Sequence, residues 1–221
     1  MKIVPFLLIA ATAFAGCNNH PATITTAGMS LDSTLTAMDV THHWLPYKQV
    51  DDWKTGDIVV GVESPVTWCS SFVSAVCSHY HIKLPSPDHH DNLLANIQAE
   101  WLLHKGHHAG WIIIHSPDRA QNRANEGQLV LAVYGNPDLD KPGHIAVLRP
   151  SIKPADLIAT EGPQIVQVGM ENVNSTSVKE GFKHHPGAWK SSHSYKLVFF
   201  AHPIKKRDYS NAEADTGESV K

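Results

Sequence analysis

The chain has 221 residues, 42% of them hydrophobic and 18% charged, which suffices to bury one core and fits a single globular domain. A formal net charge of -3 gives no basic field to attract phosphates, so nucleic acid is excluded as the main partner. The 16 histidines leave metal binding, a pH response and a solvated surface open.

The opening MKIVPFLLIAATAFAGC has one Lys, an apolar run over residues 3–14 too short to span a bilayer, and then Ala15 and Gly16. This is the pattern of an export signal over residues 1–16. Its Phe-Ala-Gly-Cys ending resembles the lipobox of bacterial lipoproteins, with Phe14 where that family usually has Leu. The resemblance implies that Cys17 is lipidated and heads the mature chain, anchoring it to a membrane on the periplasmic side. Asn18 and Asn19, in that family's sorting habit, imply the outer membrane. Residues 17–40 are rich in Thr, Ala, Ser and Gly and read as a tether. Trp44, Tyr47 and Trp53 mark the start of the folded part, which is expected over residues 41–204. Residues 205–221 are charged and nearly free of large apolar side chains, the composition of a disordered tail.

Between those limits, IVVGV at 58–62 is a strand candidate opened by Gly56 and Asp57. Residues 69–80 carry Phe72, Val73, Val76, Cys77 and Tyr80 at helical spacing. A second helix is expected over 91–104, with Leu93, Leu94, Ile97, Trp101 and Leu102 on its apolar side and Gly106 ending it. WIIIH at 111–115 reads as a buried strand, and 121–126 as a helical turn closed by Gly127. Four strand-like runs follow at 128–134, 144–148, 164–169 and 195–201, with Ser175 to Glu180 as a helix start between the last two. Helices first and a meandering antiparallel sheet after them make the class α+β.

Cys69 and Cys77 sit eight residues apart on one expected helix, about 12 Å of rise, beyond the roughly 7 Å between Cα atoms that a disulfide spans. Cys77 falls between Val73, Val76 and Tyr80 in the apolar stripe and reads as core. Cys69 stands at the first turn, where unpaired N–H groups and the positive end of the helix dipole favour a thiolate; it is the candidate nucleophile, against a packed thiol or a metal ligand. A cysteine nucleophile needs a base. His144, in KPGHIAVLRP, follows a Pro-Gly turn and opens a strand stiff enough to hold an imidazole. That first residue lies at the sheet's rim, where a helix start can meet it, and alternation puts it on the face of Ala146 and Leu148, toward the side where a helix would pack.

CSSFVSAVCSHYHIKLP followed some seventy residues later by GHIAVLRP resembles the NlpC/P60 and CHAP group of papain-like cysteine peptidases and amidases. The likeness runs from Gly56 to about Leu148 and is loose beyond. It implies a papain-like domain with N-terminal helices packed on an antiparallel sheet, Cys69 as nucleophile, His144 as base, and peptidoglycan as partner and substrate, cleaved at an amide bond by an endopeptidase or amidase. In that group a polar side chain on the next strand orients the imidazole. Gln167, flanked by Val166 and Val168 facing the other way, is the first choice here; Gln164, Glu171 and Asn172 are rivals. Asp57 precedes the nucleophile, whereas the family often has Gly-Asp after it, which leaves the strand order open.

Trp68 is a candidate for walling the substrate groove or for the core, and Asn172 for a substrate contact or a turn. The N–H of Cys69 is suited to hold an oxyanion. Paired histidines at 42–43, 89–90, 107–108 and 184–185 lack Cys, Asp or Glu partners at ligand spacing, so neither a dedicated metal site nor a cofactor is expected. Two other readings stay open: an acyltransferase or lipid-directed hydrolase on the same fold, and a non-catalytic envelope lipoprotein that binds peptidoglycan or metal.

Overall fold

The computed structural model describes residues 23–60, 67–85, 94–190 and 196–205. The export signal, Cys17 and the expected tail beyond Lys205 lie outside the described residues.

Helix α1 (Thr26–Ala37) is capped by the Thr25 side chain, which accepts from Gly28 N at 3.1 Å. These residues were expected to be tether, and that expectation is corrected: Leu31, Leu35 and Met38 are fully buried. The physical reason lies far along the chain. The guanidinium of Arg149 meets Asp32 at 2.7 Å and donates to Thr36 Oγ1 at 2.6 Å and to Asn174 O at 2.7 Å. A low-hydrophobicity helix is thus held by two leucines on one side and a charge-assisted fork on the other.

Helix α2 (Val40–His43) leads to β1 (Val50–Asp51) and β2 (Ile58–Val60), which pair antiparallel in a small sheet of their own. Helices α3 (Cys69–His79) and α4 (Leu94–His104) follow. The buried side of α4 is Ala95, Gln98, Ala99 and Leu102, while Ile97 and Leu103 face outward, so its face is turned from the one the large apolar residues suggested. Small residues win because α4 packs close to the sheet and to α3.

After a 3-10 turn (Gly106–Ala109) comes β3 (Ile112–Ile114). It is an edge strand with Ile112 and Ile113 exposed, not the buried strand its composition implied. Helix α5 (Pro117–Asn125) begins earlier than expected, with Ser116 as its cap and Pro117 in its first turn; Gly127, at φ 84°, closes it. Then come β4 (Leu129–Tyr134), β5 (His144–Leu148), α6 (Ala155–Glu161), β6 (Gln164–Gln167), β7 (Val173–Ser177), α7 (Val178–Gly181) and β8 (Val198–His202).

Six strands form one antiparallel sheet in the order β3-β8-β4-β5-β6-β7. The fold is α+β, with both faces of the sheet covered. Leu131, Val133, Ile145, Val147, Val166 and Phe200 share one core with α1, α3 and α4. Val130, Ala132, Ala146, Leu148, Ile165 and Phe199 share the other with α5, α7 and Trp189. Strand alternation sorts the residues to the two sides.

Leu35→Ala is expected to lower the unfolding free energy by about 2–5 kcal/mol, the usual loss for a buried leucine. Urea denaturation checks this; an unchanged midpoint would mean that residues 26–37 are a solvated tether after all.

Candidate functional site

Cys69 is the first residue of α3, after Trp68, whose side chain makes no capping bond. The first-turn N–H groups of α3 therefore have no side-chain cap, and the Sγ of Cys69 lies among them. Backbone amides of Ile145, Ser70 and Cys69 itself bond toward the sulfur, and the Ser70 hydroxyl is 3.8 Å from it. These dipoles favour the thiolate, but burial outweighs them and the thiol is pushed up from its ordinary value. Cys77 is also raised, by burial alone, and lies in the core as expected. Both thiols are free.

The Ile145 amide is available to sulfur because the sheet opens there. Strands β5 and β6 pair at Val147 with Val166 and at Leu148 with Ile165, and Arg149 N donates to Gln164 O at 2.9 Å. The same register continued would set Ile145 opposite Val168, yet the pairing stops two residues short. The head of α3 packs against β5 beside this seam, near enough to the Ile145 amide for that dipole to act on its sulfur.

His144 opens β5 one residue before that amide. Its position is set from α4: Asn96 accepts from Asn136 N at 2.9 Å and donates to Lys141 O at 2.9 Å, clamping both arms of the β4–β5 hairpin. The imidazole is 4% exposed, and its Nε2 donates to Gln167 Oε1 at 2.8 Å. An amide oxygen only accepts, so Nε2 bears the hydrogen. Burial pushes His144 down to about 4, with the Gln167 bond opposing the shift, so the ring is neutral near pH 7 and Nδ1 carries the lone pair.

Of the candidates for the third position, Gln167 is the one that bonds His144. Gln164 donates to Ser175 Oγ at 2.9 Å and Glu171 pairs with Lys183 at 2.9 Å. Gly181 permits the arrangement: a β-carbon there would lie 2.5 Å from Ile165 Cδ1 and 3.1 Å from Gln167 Oε1. Asn172 donates to Val40 O and Trp44 O at 2.7 and 2.6 Å and accepts from Gly169 N at 3.0 Å, which ties the β6–β7 turn to α2. Trp68 is 5% exposed and donates to Lys48 O at 2.9 Å. Both side chains spend their polar groups on the fold.

The alternation that puts His144 with Ala146 and Leu148 carries its ring to the α7 side, against Phe182 at 4.6 Å between ring centroids, whereas α3 covers the opposite face. The expectation that the helix start meets the imidazole on one side of the sheet is thus corrected: Cys69 and the His144 ring lie on opposite sides, because residue 144 falls in the strand phase that faces α7. No hydrogen bond joins Cys69 to His144 in this closed arrangement, and Cys69 is only 7% exposed.

Sequence reasoning missed the residues that hold this frame. Gln121, fully buried, accepts from Gln164 N at 2.8 Å and donates to Arg149 O at 2.9 Å; Asn125 clasps Ser151 through N–H and C=O at 2.8 and 2.9 Å. Their spacing of four on α5 was the available signal. Among the described residues no group of three or more His, Cys, Asp or Glu could hold a metal ion. Compared with known proteins, the chain matches no family model, and no curated protein matches it.

Two outcomes test this description. The unfolded chain binds a proton on His144 below about pH 6.5 that the folded chain refuses until about pH 4, so its contribution to stability is complete above that window and is lost as pH falls through it. The full contribution is on the order of 3 kcal/mol. Urea midpoints of wild type should therefore fall between pH 7 and pH 4.5, and those of His144→Gln should fall less; equal declines would contradict a buried neutral imidazole. Iodoacetamide at pH 8 should label Cys69 about tenfold faster than Cys77, as followed by peptide mass spectrometry. Equal rates would show that the helix mouth confers no reactivity.

Proposed function

We propose that this chain is a papain-like cysteine hydrolase that cleaves amide bonds of peptidoglycan, anchored through Cys17 to the periplasmic face of the outer membrane. The observation that carries the chemistry is the His144 imidazole held in one tautomer by Gln167, on the strand against which the uncapped head of α3 packs with Cys69. The substrate class, the family and the anchor rest on the resemblance of WCSSFV, GHIAVL and the lipobox-like leader.

With the thiol raised and the imidazole lowered, the resting pair is neutral, so His144 acts as a general base instead of sharing a preformed ion pair. Substrate entering the seam brings Nδ1 to the sulfur. As Sγ attacks the carbonyl carbon, its proton passes to Nδ1, and the N–H groups at the α3 mouth stabilise the oxyanion. The imidazolium then gives that proton to the leaving amine, leaving a thioester. Water, deprotonated by the same nitrogen, attacks the thioester and releases the acid and the free thiol. Gln167 keeps Nε2–H facing away from the reacting atoms throughout, so Nδ1 is the nitrogen that works.

Cys69→Ala is expected to abolish release of peptides from purified sacculi, read by mass spectrometry of the new termini, while Cys77→Ala retains it. Gln167→Ala should lower kcat by about 10- to 100-fold with the thiol intact. Wild-type release by Cys69→Ala would end the hydrolase reading.

A further inference from the structure

A second imidazole lies on the first. The ring of His185 is parallel to that of His144, at 5.0 Å between centroids and 7° between planes. It is held there by its own backbone: His185 N donates to Phe182 O at 2.9 Å, and Ala188 N donates to His185 O at 3.0 Å. Tyr134, the cross-strand partner of His144 on β4, flanks His185 at 5.7 Å, and Phe182 meets His144 edge-on. His185 is half-buried where His144 is almost wholly so, and it stands between one face of the base and water.

We propose that His185 is a positioning residue for the base His144, covering one face of its ring and permitting the stacked pair to hold one proton but not two. This deepens the hydrolase reading and rests on it. The covering ring fixes the plane of the His144 imidazole at 68° to that of Phe182, with Nε2 on Gln167, and so keeps Nδ1 aimed along one direction. When His144 takes the thiol proton, a neutral imidazole face beside it tolerates the new cation; a protonated His185 repels it. His185 itself is pushed down to about 4 by burial and by the neighbouring His144 and His184, so near neutrality it is the neutral partner.

The other groups facing the pair leave this coupling in place. Gln167 does not titrate, and Tyr134 meets the stack with its ring. From the segment that carries His185, Lys183 is bound to Glu171 and Glu180 at 2.9 and 2.8 Å, a cluster left with one net negative charge, and His184 is exposed. Protonation of the stack therefore turns on its two rings, with His184 adding to the repulsion on His185.

The test compares His185→Ala and His185→Phe with wild type in the full chain. In His185→Ala, water reaches the uncovered ring, and the NMR titration midpoint of His144 should rise by about one pH unit. The kcat on sacculi should fall about tenfold with KM little changed. His185→Phe, which keeps a ring in place but cannot titrate, should restore kcat to within about threefold and reduce the acid limb of kcat/KM from two protons to one. A wild-type His144 midpoint in His185→Ala, or a two-proton limb in His185→Phe, would overturn the inference. Failure of the hydrolase reading is separately visible: Cys69→Ala would then release peptides from sacculi at the wild-type rate, whatever the His144 titration does in the His185 variants.

Discussion

The structure turns on a sheet that parts too soon. Strands β5 and β6 hold together at Val147 and Leu148 and separate before Ile145, which leaves one backbone amide without a strand partner. That amide turns toward the head of α3, where its dipole favours a negative charge on the Cys69 sulfur. Everything at the site follows from that parting. The helix is drawn to the seam, its uncapped first turn faces inward, and the residue before the seam carries the imidazole.

The two faces of the sheet then divide the work. On one side, α3 and α4 bring the thiol and, through Asn96, fix the hairpin that delivers His144. On the other, α7 and the segment after it surround the imidazole with Phe182, His185 and the Gln167 amide. A one-residue step along β5 moves from one face to the other, so Cys69 and His144 pack in different cores. Burial keeps both neutral near pH 7.

Much of this was legible because period and turn chemistry agreed. The spacing of Phe72, Val73, Val76 and Cys77 made α3 plain, and the Pro-Gly turn before His144 marked the start of β5. Val166 and Val168 flanking Gln167 made its facing deducible from alternation alone. The rest was hidden for physical reasons. Helix α1 has few apolar residues, and its packing depends on Arg149, more than a hundred residues away. Strand β7, VNSTS, is polar and pairs only at the sheet's edge. The outward turn of Ile97 reflects how closely α4 approaches its neighbours, which hydropathy does not report. The stacking of His185 on His144 depends on the turn after α7, and the repeated His-His pairs along the chain gave no reason to prefer that one.

The central claim is that the Cys69 sulfur becomes covalently bonded to a carbonyl carbon with help from His144. The most direct measurement is acid quenching of the enzyme during digestion of sacculi, followed by mass spectrometry of the Cys69 peptide. The account predicts a thioester-linked muropeptide fragment on Cys69, lost on treatment with hydroxylamine and missing in His144→Ala. A protein that digests sacculi while Cys69 stays unmodified at every quench time, in a variant slowed at deacylation as well as in wild type, would contradict it.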